Sequence, residues 1–184
     1  MENKFPPIIS FIGPSGSGKT TVIVNLVKTM KEYKIATTKF IHHKGITIDV
    51  EGKDTNRFRK AGSPYTISFT PSETVLLIKK EKRDKFSIIP EILNLNENVL
   101  PKVDFIFSEG PKDLPKSIPV IICSNNERDL QEYFTMVQNK NKILAISGVV
   151  SSHIEIWNNY PVFNANNAND LKKLVNIIID SSSK

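Results

Sequence analysis

Gly13-Pro14-Ser15-Gly16-Ser17-Gly18-Lys19-Thr20, with Thr21 behind it, fits the pattern G-x-x-x-x-G-K-[ST] in full and decides how the chain is read. The run before it, Ile8 to Gly13, is short, apolar and β-rich. After it Val22, Leu26, Val27 and Met30 recur at helical spacing. A strand, a glycine-rich turn and a helix in that order are the setting the pattern requires. Glycines let the backbone wrap closely, so that its N–H groups face phosphate oxygens while the helix adds its positive end. The spacing predicts that Gly13 to Thr21 contact a nucleotide, with Lys19 at the β and γ phosphates as a catalytic group and the Thr20 hydroxyl on Mg2+.

Ile35 to Phe40 reads as a second strand, and residues 41 to 55 mix His, Lys, Gly, Asp and Glu without periodicity, as a long functional loop does. Asp54-Thr55-Asn56 offer caps for a short helix that Gly62 can end. Tyr65 to Phe69 and Val75 to Lys79 flank Thr70-Pro71-Ser72-Glu73 as a hairpin would. A helix is expected over Asp84 to Leu95. Val103 to Phe107, Ile118 to Cys123 and Ile143 to Ile146 have the character of buried strands, and Glu127 to Val137 of a helix. Asn169 to Ile179 reads as a closing amphipathic helix, and the Ser181 to Ser183 tail is expected to fray. Alternating strands and helices imply an α/β fold. The expectation is a mostly parallel sheet flanked by helices, the three-layer sandwich of P-loop NTPases with an antiparallel hairpin addition, in a single nucleotide-binding domain over residues 1 to 184.

Charge agrees with an anionic ligand near the loop. The 184 residues hold 25 Lys+Arg against 19 Asp+Glu, a net +6. Residues 1 to 62 carry 11 basic and 5 acidic side chains, and residues 63 to 184 carry 14 of each, so the whole excess lies in the first third. Cys123 is the single cysteine, which excludes a disulfide scaffold, and its apolar neighbours Val120, Ile121 and Ile122 suggest a buried thiol in a reducing compartment. No apolar run approaches the roughly 20 residues that span a bilayer, and the start has no signal-type apolar stretch. The expectation is a soluble, cytoplasmic protein without a membrane partner. No aromatic-studded basic strand accompanies the lysines, so no nucleic-acid partner is expected.

A phosphate loop needs a second acid on the metal, at the C-terminal end of a neighbouring strand. Val103 to Gly110 contains Asp104 and Glu109, which lie roughly 16 Å apart on an extended strand at about 3.3 Å per residue, so one of them reaches the metal. Glu109, at the far end, is expected to do so, and Asp104 to be a solvated strand start. Asp49 follows the second strand by about nine residues, from where a loop could fold over the γ phosphate and Mg2+. That reading makes Asp49 catalytic and metal-side; a solvated loop carboxylate is the other. His42 and His43 point to opposite faces of an extended segment and rarely share one metal site. Arg57 shares a helix face with Lys60 while Arg59 points elsewhere, and its planar fork suits phosphate. A solvated helix face reads as well. Asn126-Glu127-Arg128-Asp129 keeps the Asn and Asp of the guanine-reading pattern N-K-x-D, with Glu in place of Lys; Asn126 also suits a helix N-cap.

Three further segments bring a family into view. Lys39-Phe40-Ile41-His42-His43, then Asp49-Val50-Glu51-Gly52-Lys53-Asp54-Thr55 with Arg57, Arg59, Ala61 and Gly62, then Glu109-Gly110-Pro111-Lys112, resemble the molybdopterin-guanine dinucleotide biosynthesis protein B (MobB) family in order and spacing. Phe40 stands where the family usually has a further histidine, and Pro111 where it has an aromatic or aliphatic residue. The resemblance covers about Ile8 to Leu130. It implies a GTP-binding, weakly hydrolysing, Mg2+-dependent homodimer that assists molybdopterin guanylyltransferase; the planar fork of Arg57 could hold the pterin phosphate of the molybdopterin cofactor or reach nucleotide across a dimer interface.

Two other functions use the same loop. A small-metabolite kinase would transfer the γ phosphate to a hydroxyl, but residues 82 to 101 contain only Arg83 where an arginine-bearing lid is needed. A nucleotide-gated binding module would set partner affinity without significant turnover.

Overall fold

The computed structural model describes residues 6–41, 48–78, 89, 102–111 and 113–182. Apart from Ile89, the helix expected over Asp84 to Leu95 lies outside these residues, as do His42, His43 and Lys112. The chain divides into two compact units, Met1–Phe40 with Leu93–Lys184, and Ile41–Ile92. In chain order the elements are β1 (Ile8–Ile12), α1 (Lys19–Thr29), β2 (Ile35–Lys39), α2 (Asp54–Lys60), β3 (Tyr65–Phe69), β4 (Thr74–Ile78), β5 (Phe105–Glu109), β6 (Val120–Cys123), α3 (Glu127–Met136), β7 (Ile143–Ser147), β8 (Ile156–Trp157), β9 (Tyr160–Pro161) and α4 (Ala168–Ser182).

The first unit is built on a five-stranded sheet in the order β2-β5-β1-β6-β7, parallel at every pairing. Strands covered on both faces read as continuous apolar runs, which is why β1 and β6 were legible from composition. Side-chain alternation then sorts the residues by face. Ile9, Phe11, Phe105, Phe107, Ile121 and Ala145 pack with Val22, Ile23 and Leu26 of α1 and with Leu171, Leu174 and Ile178 of α4. On the opposite face Ile12, Val120, Ile122 and Ile146 pack with Leu130 of α3, Val137 and Val150. The result is helix, sheet, helix in three layers, as expected.

Several details differ from the sequence reading. β5 runs on to Glu109, because Ser108 and Glu109 pair with Ser10 and Phe11 on one side and with Thr38 and Lys39 on the other. Neither residue is apolar, so the run hid its own end. Asp104 does more than open a strand: its carboxylate accepts the Lys34 N–H at 2.7 Å and holds the entry to β2. The closing helix continues through Ser182, where the Ser181 and Ser182 hydroxyls donate to the Ile178 carbonyl at 2.8 and 2.9 Å. The β8-β9 hairpin was not foreseen; Asn158 and Asn159, at φ 46° and 65°, form the left-handed pair such a tight turn requires.

Thr38, Ser108 and Ser10 sit side by side across β2, β5 and β1. Their hydroxyl oxygens are buried without a hydrogen-bond partner.

In the second unit β3 and β4 pair antiparallel, with Ile67 opposite Leu76 and Phe69 opposite Thr74. One face of this hairpin is apolar and open, Tyr65, Ile67 and Phe69 being 61%, 56% and 78% exposed. A shallow hollow of about 410 Å3 between α2 and β3 is lined by Phe58, Ala61, Ser63, Tyr65, Thr66 and Ile67.

Candidate functional site

In an open parallel sheet, ligands bind beyond the C-terminal strand ends where the chain order reverses. β1 is that place, with β5 on one side and β6 on the other. The loop from Gly13 to Gly18 leaves β1 there, and α1 begins at Lys19. Its geometry demands glycine. Gly13 has φ 147°, and a Cβ on it would lie 1.8 Å from the Cys123 carbonyl oxygen. Gly18, at φ 88°, is the N-cap of α1 and makes no side-chain cap, leaving the first amides of the helix to face the loop.

Lys19 folds over this loop. Its ammonium donates to the carbonyls of Gly13 at 2.9 Å and Pro14 at 2.5 Å, with the Ser17 hydroxyl at 3.5 Å. Burial pushes its pKa below the usual lysine value; the Lys39 charge acts in the same direction and Glu109 opposes it. Cys123 beneath the loop is fully buried, and burial raises its thiol pKa to about 12, so it remains a neutral packing group.

Thr20 and Glu109 come together as the sequence suggested. The Thr20 hydroxyl donates to Glu109 Oε2 at 2.9 Å, and Lys39, at the end of β2, donates to Glu109 Oε1 at 3.1 Å. A hydroxyl and a carboxylate this close are hard oxygen donors of the kind Mg2+ takes. Among the described residues no group of three or more His, Cys, Asp or Glu side chains could hold a metal by itself. Thr21 is exposed one residue beyond Thr20.

Asn126 and Asp129 are also brought together, at the start of α3. The Asn126 side-chain oxygen accepts the Asp129 N–H at 2.9 Å, and its amide donates to the Asp129 carboxylate at 3.3 Å. Here the pair caps a helix.

One contributor escaped the sequence reading. Gly148, at φ 91°, follows β7, and a Cβ on it would lie 2.2 Å from the Ser17 carbonyl oxygen. The next residue, Val149, donates its N–H to that same oxygen at 3.3 Å. Gly18 and Gly148 also approach backbone to backbone, a Cβ on Gly18 lying 3.4 Å from the Gly148 Cα. The turn after β7 therefore braces the phosphate loop. A glycine directly after a strand, at the edge where ligands bind, was the available signal.

Asp49 belongs to the second unit and is buried. Its carboxylate accepts from the Thr55 hydroxyl at 2.7 Å, the Asn56 amide at 3.4 Å and the Arg59 guanidinium at 3.0 Å. The acid expected at a metal thus ties its loop to α2. These bonds, the one from Thr55 first, hold its pKa below the usual aspartate value. Arg57 pairs with Asp54 at 3.5 Å on an open face, and Lys60 pairs with Glu51 at 2.8 Å.

The family model of molybdopterin guanine dinucleotide synthesis protein B (MobB) matches residues 8–149. No curated protein sequence matches the chain significantly. Solved structures share the fold. MobB of Bacillus subtilis is 22% identical with a TM-score of 0.69, over 96% of this chain and 98% of that one. A MobB homolog from Bacillus stearothermophilus is 18% identical with a TM-score of 0.59, over 96% and 99%. HypB from Helicobacter pylori, solved in complex with nickel, is 18% identical with a TM-score of 0.51, over 97% and 87%.

Proposed function

The chain belongs to the MobB family, whose members take part in molybdopterin guanine dinucleotide synthesis, and from that premise we propose that it is a GTP-binding, weakly hydrolysing accessory protein to molybdopterin guanylyltransferase. The observation that carries this reading is the meeting of Thr20 and Glu109 at the mouth of the phosphate loop. Loop amides and Lys19 hold the β and γ phosphates. Thr20 and Glu109 would hold Mg2+, which would supply charge neutralisation at the phosphates. Asn126 and Asp129, at the next strand end, are assigned to the guanine edge.

Turnover is expected to be slow, well below the common enzyme range of about 1 to 10³ per second. We assign Asp49 to holding its loop on α2, and Arg57 to a phosphate such as that of the pterin, because a planar guanidinium fork suits that anion. The open apolar face of the β3-β4 hairpin supports a homodimer, since contiguous exposed apolar surface marks association sites. Among the described residues no helix is long and apolar enough to cross a membrane.

The test is binding of GTP and ATP to the purified protein with Mg2+, followed by phosphate release and phosphoryl transfer to candidate acceptors. GTP preference with slow release is expected. Tighter ATP binding, or efficient transfer to an acceptor hydroxyl, would overturn the reading in favour of a kinase. Lys19→Ala is expected to abolish nucleotide binding while the protein still melts cooperatively.

A further inference from the structure

We propose that Lys39 is a second cation of the nucleotide site, one that holds Glu109 in the absence of a divalent ion, then gives up the carboxylate to that ion and turns to the terminal phosphate. This rests on the proposed nucleotide and metal reading but assigns a residue that reading leaves without a role.

Three observations carry it. Lys39 and Glu109 are paired in register on adjacent parallel strands, both at the C-terminal edge where the phosphate loop opens. Glu109 is nearly enclosed, its side chain 13% exposed, whereas that of Lys39 is 60% exposed. The acid is therefore the fixed partner and the lysine the adjustable one, on a flexible four-carbon stem. Finally, the two oxygens of Glu109 are divided between Thr20 and Lys39, so the carboxylate that would take a metal beside Thr20 already carries an ammonium on its other oxygen.

A divalent ion and an ammonium on one carboxylate repel each other. Only the Lys39 end of the pair is open to water, so the ammonium is solvated as it leaves, and a phosphate oxygen gives it a strong charge-assisted bond. Lys19 is anchored to the carbonyls of Gly13 and Pro14 and sits within the influence of the Lys39 charge. The two lysines approach the same region from different strand ends. A triphosphate, with one more phosphoryl group than a diphosphate, would gain most from the second.

The experiment compares wild type, Lys39→Met and Lys39→Arg by calorimetric binding of nucleoside tri- and diphosphate across a Mg2+ series that includes EDTA. The purine is whichever of guanine or adenine the wild type prefers, so an error in base assignment does not affect the result. In Lys39→Met, triphosphate affinity is expected to fall about tenfold, about 1.4 kcal/mol, while diphosphate affinity changes far less. The Mg2+ concentration giving half-maximal effect should drop, because the competing ammonium is gone. Lys39→Arg should keep the triphosphate preference. An unchanged ratio of tri- to diphosphate affinity together with an unchanged Mg2+ midpoint would show a mere surface pair and overturn the proposal. Equal loss for both nucleotides would overturn it too. If wild type binds neither nucleotide, the functional reading itself fails; if wild type binds with Mg2+ and Lys39→Met matches it, only this inference does.

Discussion

The Thr20 hydroxyl lies 2.9 Å from Glu109 Oε2, although 89 residues separate the two in the chain. Strand order produces the contact: β5 lies beside β1, in a register that sets Glu109 opposite Phe11, two residues before the phosphate loop. Glu109→Gln keeps the shape and removes the charge. Nucleotide binding in EDTA is expected to change little, while the Mg2+ needed for tight binding rises about tenfold or more, the order of one lost charged ligand. Titration of binding against Mg2+ checks this, and an unchanged midpoint would remove Glu109 from the metal site.

Gly148→Ala should damage the phosphate loop from outside it. The new Cβ would meet the Ser17 carbonyl at 2.2 Å in a backbone conformation that L residues rarely adopt. Gly16→Ala shares the positive φ but meets nothing within 4 Å. The first is expected to cost about 2 to 4 kcal/mol and the second about 1 to 2 kcal/mol, the latter being left-handed strain alone. Paired denaturant melts give the comparison, and equal losses would deny the bracing role.

Acid should loosen the second unit. The folded-state pKa of Asp49 is lowered by its bonds to Thr55, Arg59 and Asn56. The stability it contributes is therefore complete above the unfolded aspartate value of about 3.9 and is lost as pH falls through the lower folded value. Glu51, lowered by Lys60, acts in the same direction. The protection factors of the α2 amides, corrected for the intrinsic pH dependence of exchange, are expected to fall below about pH 4, and Asp49→Asn to flatten that dependence. If the pH profiles of α2 match in the two proteins, the carboxylate is not what holds the helix.

Ser108→Ala is expected to be neutral or stabilising by about 1 kcal/mol, because a buried hydroxyl without a partner costs free energy that alanine does not. A loss of more than about 1 kcal/mol in a denaturant melt would mean that the hydroxyl is satisfied, as by a bound water.

Phe69→Glu tests the hairpin face. With Phe69 78% exposed, the change should cost the folded chain little, within about 0.5 kcal/mol. A charge on an apolar association surface should nevertheless give a monomer by light scattering. A variant that stays dimeric, or a wild type that is monomeric, would place association elsewhere or exclude it.

Much of the fold was legible because it is written locally. Ile8 to Gly13 and Val120 to Cys123 announce buried strands by their apolar runs, and Val22, Leu26 and Met30 announce a helix by their spacing. What was missed has non-local causes. Ser108 and Glu109 look like loop residues until two neighbouring strands pair with them. Asp49 looks like a free acid until Thr55, Asn56 and Arg59 close around it.

The amino-acid sequence by itself determined the phosphate-loop pattern and the alternation of strands and helices, because turn chemistry and periodicity are properties of contiguous residues. Only the tertiary structure decided that Lys39 shares Glu109 with Thr20 and that Gly148 supports Ser17. Strand order and register arise from pairing and packing all five strands at once, and that collective requirement leaves no mark on any single stretch of chain.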